Sequence, residues 1–303
     1  MPQLSRQKMK IGVDLGGSKI EAILLDAAGV QVWRERVPTP QNDYAAILQA
    51  TVALVHAAED FANASCSVGL GTPGSVSPAT GLMRNSNTQC LNGKALQKDL
   101  EAMMERPLRI ANDANCFALS EAVDGGGAGA KVVFGVILGT GVGGGVVIDR
   151  HVLLGANAIS GEWGHNPLQV DAAQEPPLCY CGRHGCVETW LSGPGLAADH
   201  ARTTGVVADA PELVERAAEG DADSDATLVR YEKRLACALA TVINIVDPDV
   251  IVLGGGLSNI ERLYRNVPKW WGAHIFSDTV RTRLARNRHG DSSGVRGAAW
   301  LWD

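Results

Sequence analysis

Three thiols stand at metal-ligand spacing. Cys179-x-Cys181-x4-Cys186 places them in one short loop, with Gly182 and Gly185 letting it fold tightly, and His165 upstream supplies a fourth ligand. A Cys3His set is a closed, structural zinc site with no open position for catalysis. Three reduced loop thiols or a disulfide are the alternatives, and His184, inside the loop, competes as a ligand. Glu162 lies three residues before His165, and Glu188 two residues after Cys186. An ion pinning His165 and Cys186 would therefore fix both carboxylates near each other. In that reading zinc preorganises a pocket that accepts hydrogen bonds from hydroxyl groups. A lone Glu is more often a solvated surface residue.

Glycine-rich turns form the second chemical feature. Asp14-Leu15-Gly16-Gly17-Ser18-Lys19, Gly139-Thr140-Gly141 and Gly254-Gly255-Gly256 each follow an apolar run. A triphosphate needs backbone N–H donors at close range and few side chains in the way. Any one such turn is commonly just a turn; three, two of them in a repeated layout, point to a nucleotide. Asp14, at a strand end, is placed to hold magnesium through water, and bare backbone at Gly255 and Gly256 could lie against adenine or ribose. None matches the Walker A pattern, and no G-x-G-x-x-G opens a helix with a suitable acidic residue after it.

Asn112-Asp113 stands between a strand end and a helix start. A carboxylate there feels the positive helix terminus and stays ionised at neutral pH, a plausible base for a hydroxyl. Read locally, the pair is first of all a helix cap.

The elements that must position these residues are legible from periodicity. Lys10–Asp14, Ile20–Asp26 and Val30–Val37 read as strands and Asp43–Asn63 as a helix. Ser67–Leu70 and Leu108–Ala111 read as strands flanking a helix around Lys94–Glu105, and a helix capped by Asn112 runs to about Val123. Residues 11–26 (IGVDLGGSKIEAILLD) and 135–149 (GVILGTGVGGGVVID) share one layout of strand, glycine turn, strand and Asp. The repeat predicts two domains of one α/β fold facing one another. Tyr231–Val246 reads as an amphipathic helix ended by Asp247-Pro248, Val250–Leu253 as a buried strand, and Gly290–Trp302 as a helix packing back on the first domain. The bunching of the 35 glycines suggests backbone approaching a ligand closely.

Composition narrows the class. The 303 residues are 46% hydrophobic and 20% charged, as in soluble globular proteins, and no Lys/Arg stripe accompanies the net charge of −6, which disfavours a nucleic-acid partner. No apolar run approaches the roughly 20 residues that span a bilayer, and Met1 to Lys10 has no apolar leader, so a membrane partner is not expected and a cytoplasmic location is. Thiols stay reduced there, which weakens the disulfide reading. Cys66, Cys90, Cys116 and Cys237 stand alone and read as buried small hydrophobes.

Together these segments resemble the sugar kinase and actin-like ATPase superfamily and, within it, the ROK family (repressors, ORFs and kinases). The resemblance runs from Gly12 to Trp302. It is carried by Asp14–Lys19, Asn112-Asp113-Ala114-Asn115, Gly139-Thr140-Gly141, Gly161-Glu162-Trp163-Gly164-His165 and Cys179–Glu188. It implies an actin/hexokinase-like (ribonuclease H-like) fold of two similar domains with a cleft between them, expected at 1–118 plus 290–303 and at 119–289. It implies ATP and Mg2+ on Asp14, Gly16, Gly17, Ser18, Lys19, Gly139, Thr140, Gly141, Gly255 and Gly256, and structural Zn2+ on His165, Cys179, Cys181 and Cys186. It makes Asp113 the catalytic base, with sugar contacts from Gly74, Asn87, Asn112, Asp113, Glu162, His165 and Glu188. Where the family often has Thr, Ser18 keeps the hydroxyl. Many family members are dimers, so a homodimer is expected. The repressors carry an extra N-terminal helix-turn-helix, for which ten residues before the first strand leave no room; a non-catalytic sugar-sensing regulator is therefore disfavoured. Glu121–Gly125 and His289–Trp300 look like the family's bacterial fructokinases that also accept mannose. The expected substrate is a free hexose, fructose first, with glucokinase and N-acetylhexosamine kinase as alternatives.

Overall fold

The computed structural model describes residues 9–168 and 175–303. Most of the polar N-terminus read above, residues 1–8, lies outside them. By contacts the chain divides into two units. One is the chain up to Gly129 with Gly145–Ser160 and Asp291–Asp303; the other is Ala130–Gly144 with Gly161–Gly290.

In the first unit, strands β1 (Lys10–Leu15), β2 (Lys19–Leu25) and β3 (Gln31–Pro38) form an antiparallel meander. Helix α1 (Tyr44–Ala62) starts where Asp43 accepts the Ala46 N–H, 3.0 Å away, and ends at Asn63 in the left-handed conformation. Its Ile47, Leu48, Val52 and Val55 enter the core with Ile11, Val13, Leu15 and Leu70. Strand β4 (Ser67–Thr72) follows, then a small hairpin of β5 (Ser75–Val76) and β6 (Met83–Arg84). Helix α2 (Leu96–Met104), strand β7 (Arg109–Asn112) and helix α3 (Asp113–Val123) come next. The sheet order is β3-β2-β1-β4-β7, with β4 parallel to β1 and β7 parallel to β4.

The layout then repeats with β8 (Val132–Leu138), β9 (Val142–Ile148) and β10 (His151–Val152), followed by α4 (Val187–Leu191), α5 (Gly193–Thr204), α6 (Ala210–Ala218) and α7 (Ala222–Val246). Strand β11 (Val250–Gly254), helix α8 (Glu261–Trp271), strand β12 (Arg283–Arg286) and helix α9 (Ser293–Trp300) complete the chain. The second sheet is ordered β10-β9-β8-β11-β12, the same sequence of an antiparallel meander and two parallel strands. The internal repeat is thus a repeat of topology. Helix α7 begins nine residues before the expected Tyr231, because Asp221 caps it through the Asp223 N–H. Among the described residues no helix is long and apolar enough to cross a membrane.

Helix α9 packs on the first sheet, as expected, and it explains several glycines differently from a ligand. A Cβ on Gly12 would lie 2.0 Å from the Val295 carbonyl oxygen, and one on Gly69 1.9 Å from that of Ala298. On the helix itself, a Cβ on Gly297 would lie 1.6 Å from the Cys116 carbonyl oxygen of α3. These three positions are bare so that α9 can meet β1, β4 and α3 backbone to backbone. Cys66 and Cys116 are buried as expected, whereas Cys90 and Cys237 are half-buried.

Candidate active site

In the first unit the glycine turn leaves β1 directly after Asp14. The Gly16 N–H donates to the Lys19 carbonyl (3.0 Å), and the Thr39 hydroxyl donates to the Gly16 carbonyl (2.7 Å). The Gln41 amide reaches the Gly17 carbonyl at 3.1 Å. Thr39 and Gln41 were not singled out from sequence; they follow a strand whose pairing with β2 brings them back to the turn. Gly17 and Ser18 remain exposed.

Asp14 lies behind this turn, partly buried. Burial, then the negative charges of Asp113 and Glu21, raises its pKa to about 6, while Lys19 and Arg36 pull it down. The first turn of α9 passes beside it: a Cβ on Gly294 would come 3.6 Å from Asp14 Oδ2. A divalent cation would relieve this crowding of carboxylates.

Asn112 and Asp113 divide the two roles weighed for them. The Asn112 side-chain oxygen accepts the Asn115 N–H at 2.8 Å, so the helix cap is real and belongs to Asn112. Its amide group is the donor it could offer a ligand. Asp113 is the first helical residue and accepts the Ala114 N–H at 2.8 Å. The Asp113 surface is open to solvent, yet the protein packed around the carboxyl raises its pKa, with the Ala114 N–H pulling the other way. The expected effect of the helix terminus is present, and burial outweighs it.

Gly74 has φ +79°, and a Cβ there would lie 2.4 Å from the Arg84 carbonyl oxygen and 2.7 Å from the Ser86 nitrogen. Its loop therefore lies directly on the segment that carries Asn87, which is exposed. The structure brings this pair of predicted contacts into neighbouring loops.

In the second unit, the Gly139 N–H donates to the Gly141 carbonyl (3.0 Å), closing the turn after β8. Gly255, at φ +77°, packs against the end of the same strand: a Cβ would lie 2.4 Å from the Leu138 carbonyl oxygen. Two glycine turns distant in sequence thus lie side by side, and Gly256 faces open space.

The Gly161–His165 segment rests on β9. Trp163 donates from its ring nitrogen to the Gly143 carbonyl (3.0 Å) and meets Phe134 edge-on, with centroids 5.7 Å apart. Gly164 fits because a Cβ would lie 2.1 Å from the Val142 carbonyl oxygen. Glu188 lies against the same turn, its Oε2 accepting the Val142 N–H at 2.9 Å. The sequence paired Glu188 with Glu162 through the metal loop; the structure also ties Glu188 to Gly139–Gly141.

The metal reading of the Cys loop fits the structure. The ligand atoms of His165, Cys179, Cys181 and Cys186 all lie within 4.8 Å of one another. Cys181 and Cys186 sulfurs are 3.6 Å apart, as are His165 Nδ1 and Cys179 Sγ. A tetrahedral ion with bonds of about 2.3 Å to sulfur separates its ligands by about 3.8 Å, whereas a disulfide bond is about 2.05 Å. Gly182 (φ +84°) and Gly185 (φ +69°) supply the left-handed turns, and the Cys179 N–H donates to the Arg183 carbonyl at 2.7 Å. His184 is outside the set. The Arg183 guanidinium, hydrogen-bonded to Cys181, lowers that thiol's pKa, and burial raises that of Cys186. Behind the loop Trp190 anchors α4 between the Arg202 and Arg234 guanidiniums, 5.1 and 4.5 Å from its ring. The buried Asp199 carboxylate holds Arg234 at 2.7 Å and Arg230 at 3.0 Å.

The fold has known counterparts. The ROK family model matches residues 10–303. The N-acetyl-D-glucosamine kinase of Erwinia tasmaniensis is 42% identical over 299 residues, covering 97% of this chain and 99% of that one. That of Photobacterium profundum is 40% identical over the same shares. Among solved structures, the ROK hexokinase from Thermus thermophilus superposes with a TM-score of 0.86 at 30% identity, covering 97% of each chain. A ROK family glucokinase from Streptomyces griseus, solved with glucose and AMPPNP, gives 0.73 at 27% identity, covering 97% of this chain and 98% of that one. The chain belongs to the ROK family, and its place within it is among the sugar kinases. The fructose expectation finds no support in these relatives; the N-acetylhexosamine alternative does.

Proposed function

We propose that the protein transfers the γ-phosphoryl group of ATP to N-acetyl-D-glucosamine. The observation that carries this is the whole-length likeness to N-acetyl-D-glucosamine kinases at 42% identity. In this reading Gly16, Gly17, Ser18, Lys19, Gly139, Thr140, Gly141, Gly255 and Gly256 hold ATP through backbone and hydroxyl donors. Asp14 would hold Mg2+, and that cation, when bound, would supply charge neutralisation of the phosphates. Gly74, Asn87, Asn112, Glu162, His165 and Glu188 hold the sugar. The Asp113 carboxylate takes the proton of the C6 hydroxyl as its oxygen attacks the γ-phosphorus, while the bond from that phosphorus to the β-phosphate oxygen breaks and ADP leaves. Positioning counts for more than base strength in so loose a transition state, and a raised pKa brings Asp113 nearer the working pH of a general base. His165, Cys179, Cys181 and Cys186 would hold Zn2+, which would supply rigidity to the loops carrying Glu162 and Glu188. As a division of labour, 1–118 with 290–303 carries the base and 119–289 the metal loop, although by contacts 119–129 and 145–160 group with the first of these.

A coupled assay of ATP consumption over N-acetylglucosamine, glucose, mannose and fructose tests the reading. The highest kcat/KM is expected for N-acetylglucosamine. A higher value for fructose or glucose would overturn the substrate while leaving the kinase; no turnover of any of the four would overturn the kinase.

A further inference from the structure

Tyr180 stands between two of the metal-loop cysteines, where the backbone is tightly held by the Cys179–Arg183 and Gly182–Cys179 hydrogen bonds. The residue is nevertheless 83% exposed, two positions from Leu178 at 67%. Two large side chains thus stand in the open on a loop whose backbone is held in place. The Tyr180 hydroxyl lies 2.9 Å from His165 Nε2, and the two rings meet edge-on at 5.1 Å and 85°. Tyr180 therefore touches His165, one of the three second-unit side chains assigned to the sugar.

The hydrogen-bonding roles follow from chemistry. His165 turns Nδ1 toward Cys179 and hence toward the metal position, which assigns the hydrogen of a neutral imidazole to Nε2. Nε2 then donates to the Tyr180 oxygen, and the phenol keeps its own O–H to donate onward. Glu162 and Glu188 only accept when ionised. They suit sugar hydroxyls and an amide N–H, and they repel a carbonyl oxygen. An acetamido group differs from a hydroxyl by just those parts: an N–H, a carbonyl oxygen and a methyl. The carbonyl needs a donor and the methyl an apolar face.

We propose that Tyr180 is a specificity-determining residue that reads the acetamido group, its hydroxyl donating to the carbonyl oxygen and its ring covering the methyl. This rests on the N-acetylhexosamine reading above. The test is Tyr180→Phe, which keeps the ring and removes the donor, assayed with N-acetylglucosamine and glucose beside wild type, with zinc per chain measured on both. One lost hydrogen bond corresponds to roughly a three- to tenfold change. The ratio of kcat/KM for N-acetylglucosamine over glucose is expected to fall by that much, through KM for N-acetylglucosamine, with zinc content unchanged. An unchanged ratio overturns the proposal, as does a loss of zinc, which would make Tyr180 a support of the metal loop. Wild-type protein inactive on N-acetylglucosamine would remove the substrate reading together with this one, and it shows in the wild-type arm alone.

Discussion

Replacing Asp14 by Asn should stabilise the ligand-free protein. Burial, Asp113 and Glu21 together hold the Asp14 pKa at about 6 against 3.8 for a free carboxyl. At about 1.36 kcal/mol per unit, that gap amounts to roughly 3 kcal/mol of strain when the group is ionised. The folded pKa is the higher one, so between 3.8 and about 6 the folded state binds more protons than the unfolded state. Stability therefore falls as pH rises through that window, and the whole cost is present above it. Asn keeps the shape and removes the charge. At pH 7.5, without Mg2+ or nucleotide, thermal unfolding of the variant should rise by on the order of 5 °C. The gain should shrink to roughly a third at pH 4.5, where unfolded Asp is already mostly ionised and folded Asp is not. Adding Mg2+–ATP should raise the wild-type midpoint and leave the variant's nearly unmoved. A variant no more stable than wild type at pH 7.5 would refute the reasoning, and so would a gain independent of pH.

Other residues give independent tests. Asp113→Asn should lower kcat by about 10²–10⁴ with sugar affinity by calorimetry kept within a few-fold; kcat near wild type would remove Asp113 as base. Gly297→Ala forces a Cβ to 1.6 Å from the Cys116 carbonyl oxygen, backbone against backbone, and should cost at least about 3 kcal/mol in urea unfolding. Gly141→Ala instead meets the far end of a flexible side chain, Glu188 Oε2 at 2.6 Å. It should fold normally and displace Glu188, raising KM for the sugar severalfold; unchanged kinetics would separate Glu188 from the site. Cys186→Ser should abolish bound zinc by elemental analysis and, with the loop released, most of the activity. Full turnover in zinc-free protein would end the structural-zinc reading.

What the sequence could show followed from local physics. The cap at Asn112 is a short-range hydrogen bond, and strand–turn–strand repeats are periodicities, so both appear in a linear reading. The metal set was legible because ligand spacing is itself local, apart from His165. Helices α5 and α6 and strand β12 were missed, since their short buried stretches, such as Leu196 or Leu213, make weak periodic signals. The glycines misled in part. Gly12 and Gly69 belong to bunches that look ligand-facing, yet their bareness serves α9, whose partner residues begin more than two hundred positions later. That same non-locality hides the most consequential contacts of the second unit. Val142 and Glu188 meet across 46 positions, and the His165–Tyr180 pair exists only because the knuckle folds back on Gly161–His165. A residue such as Glu188 then answers to the metal loop on one side and the glycine turn on the other. Its geometry couples the place proposed for the sugar to the place proposed for the phosphates, which a pair of independent motifs would not do.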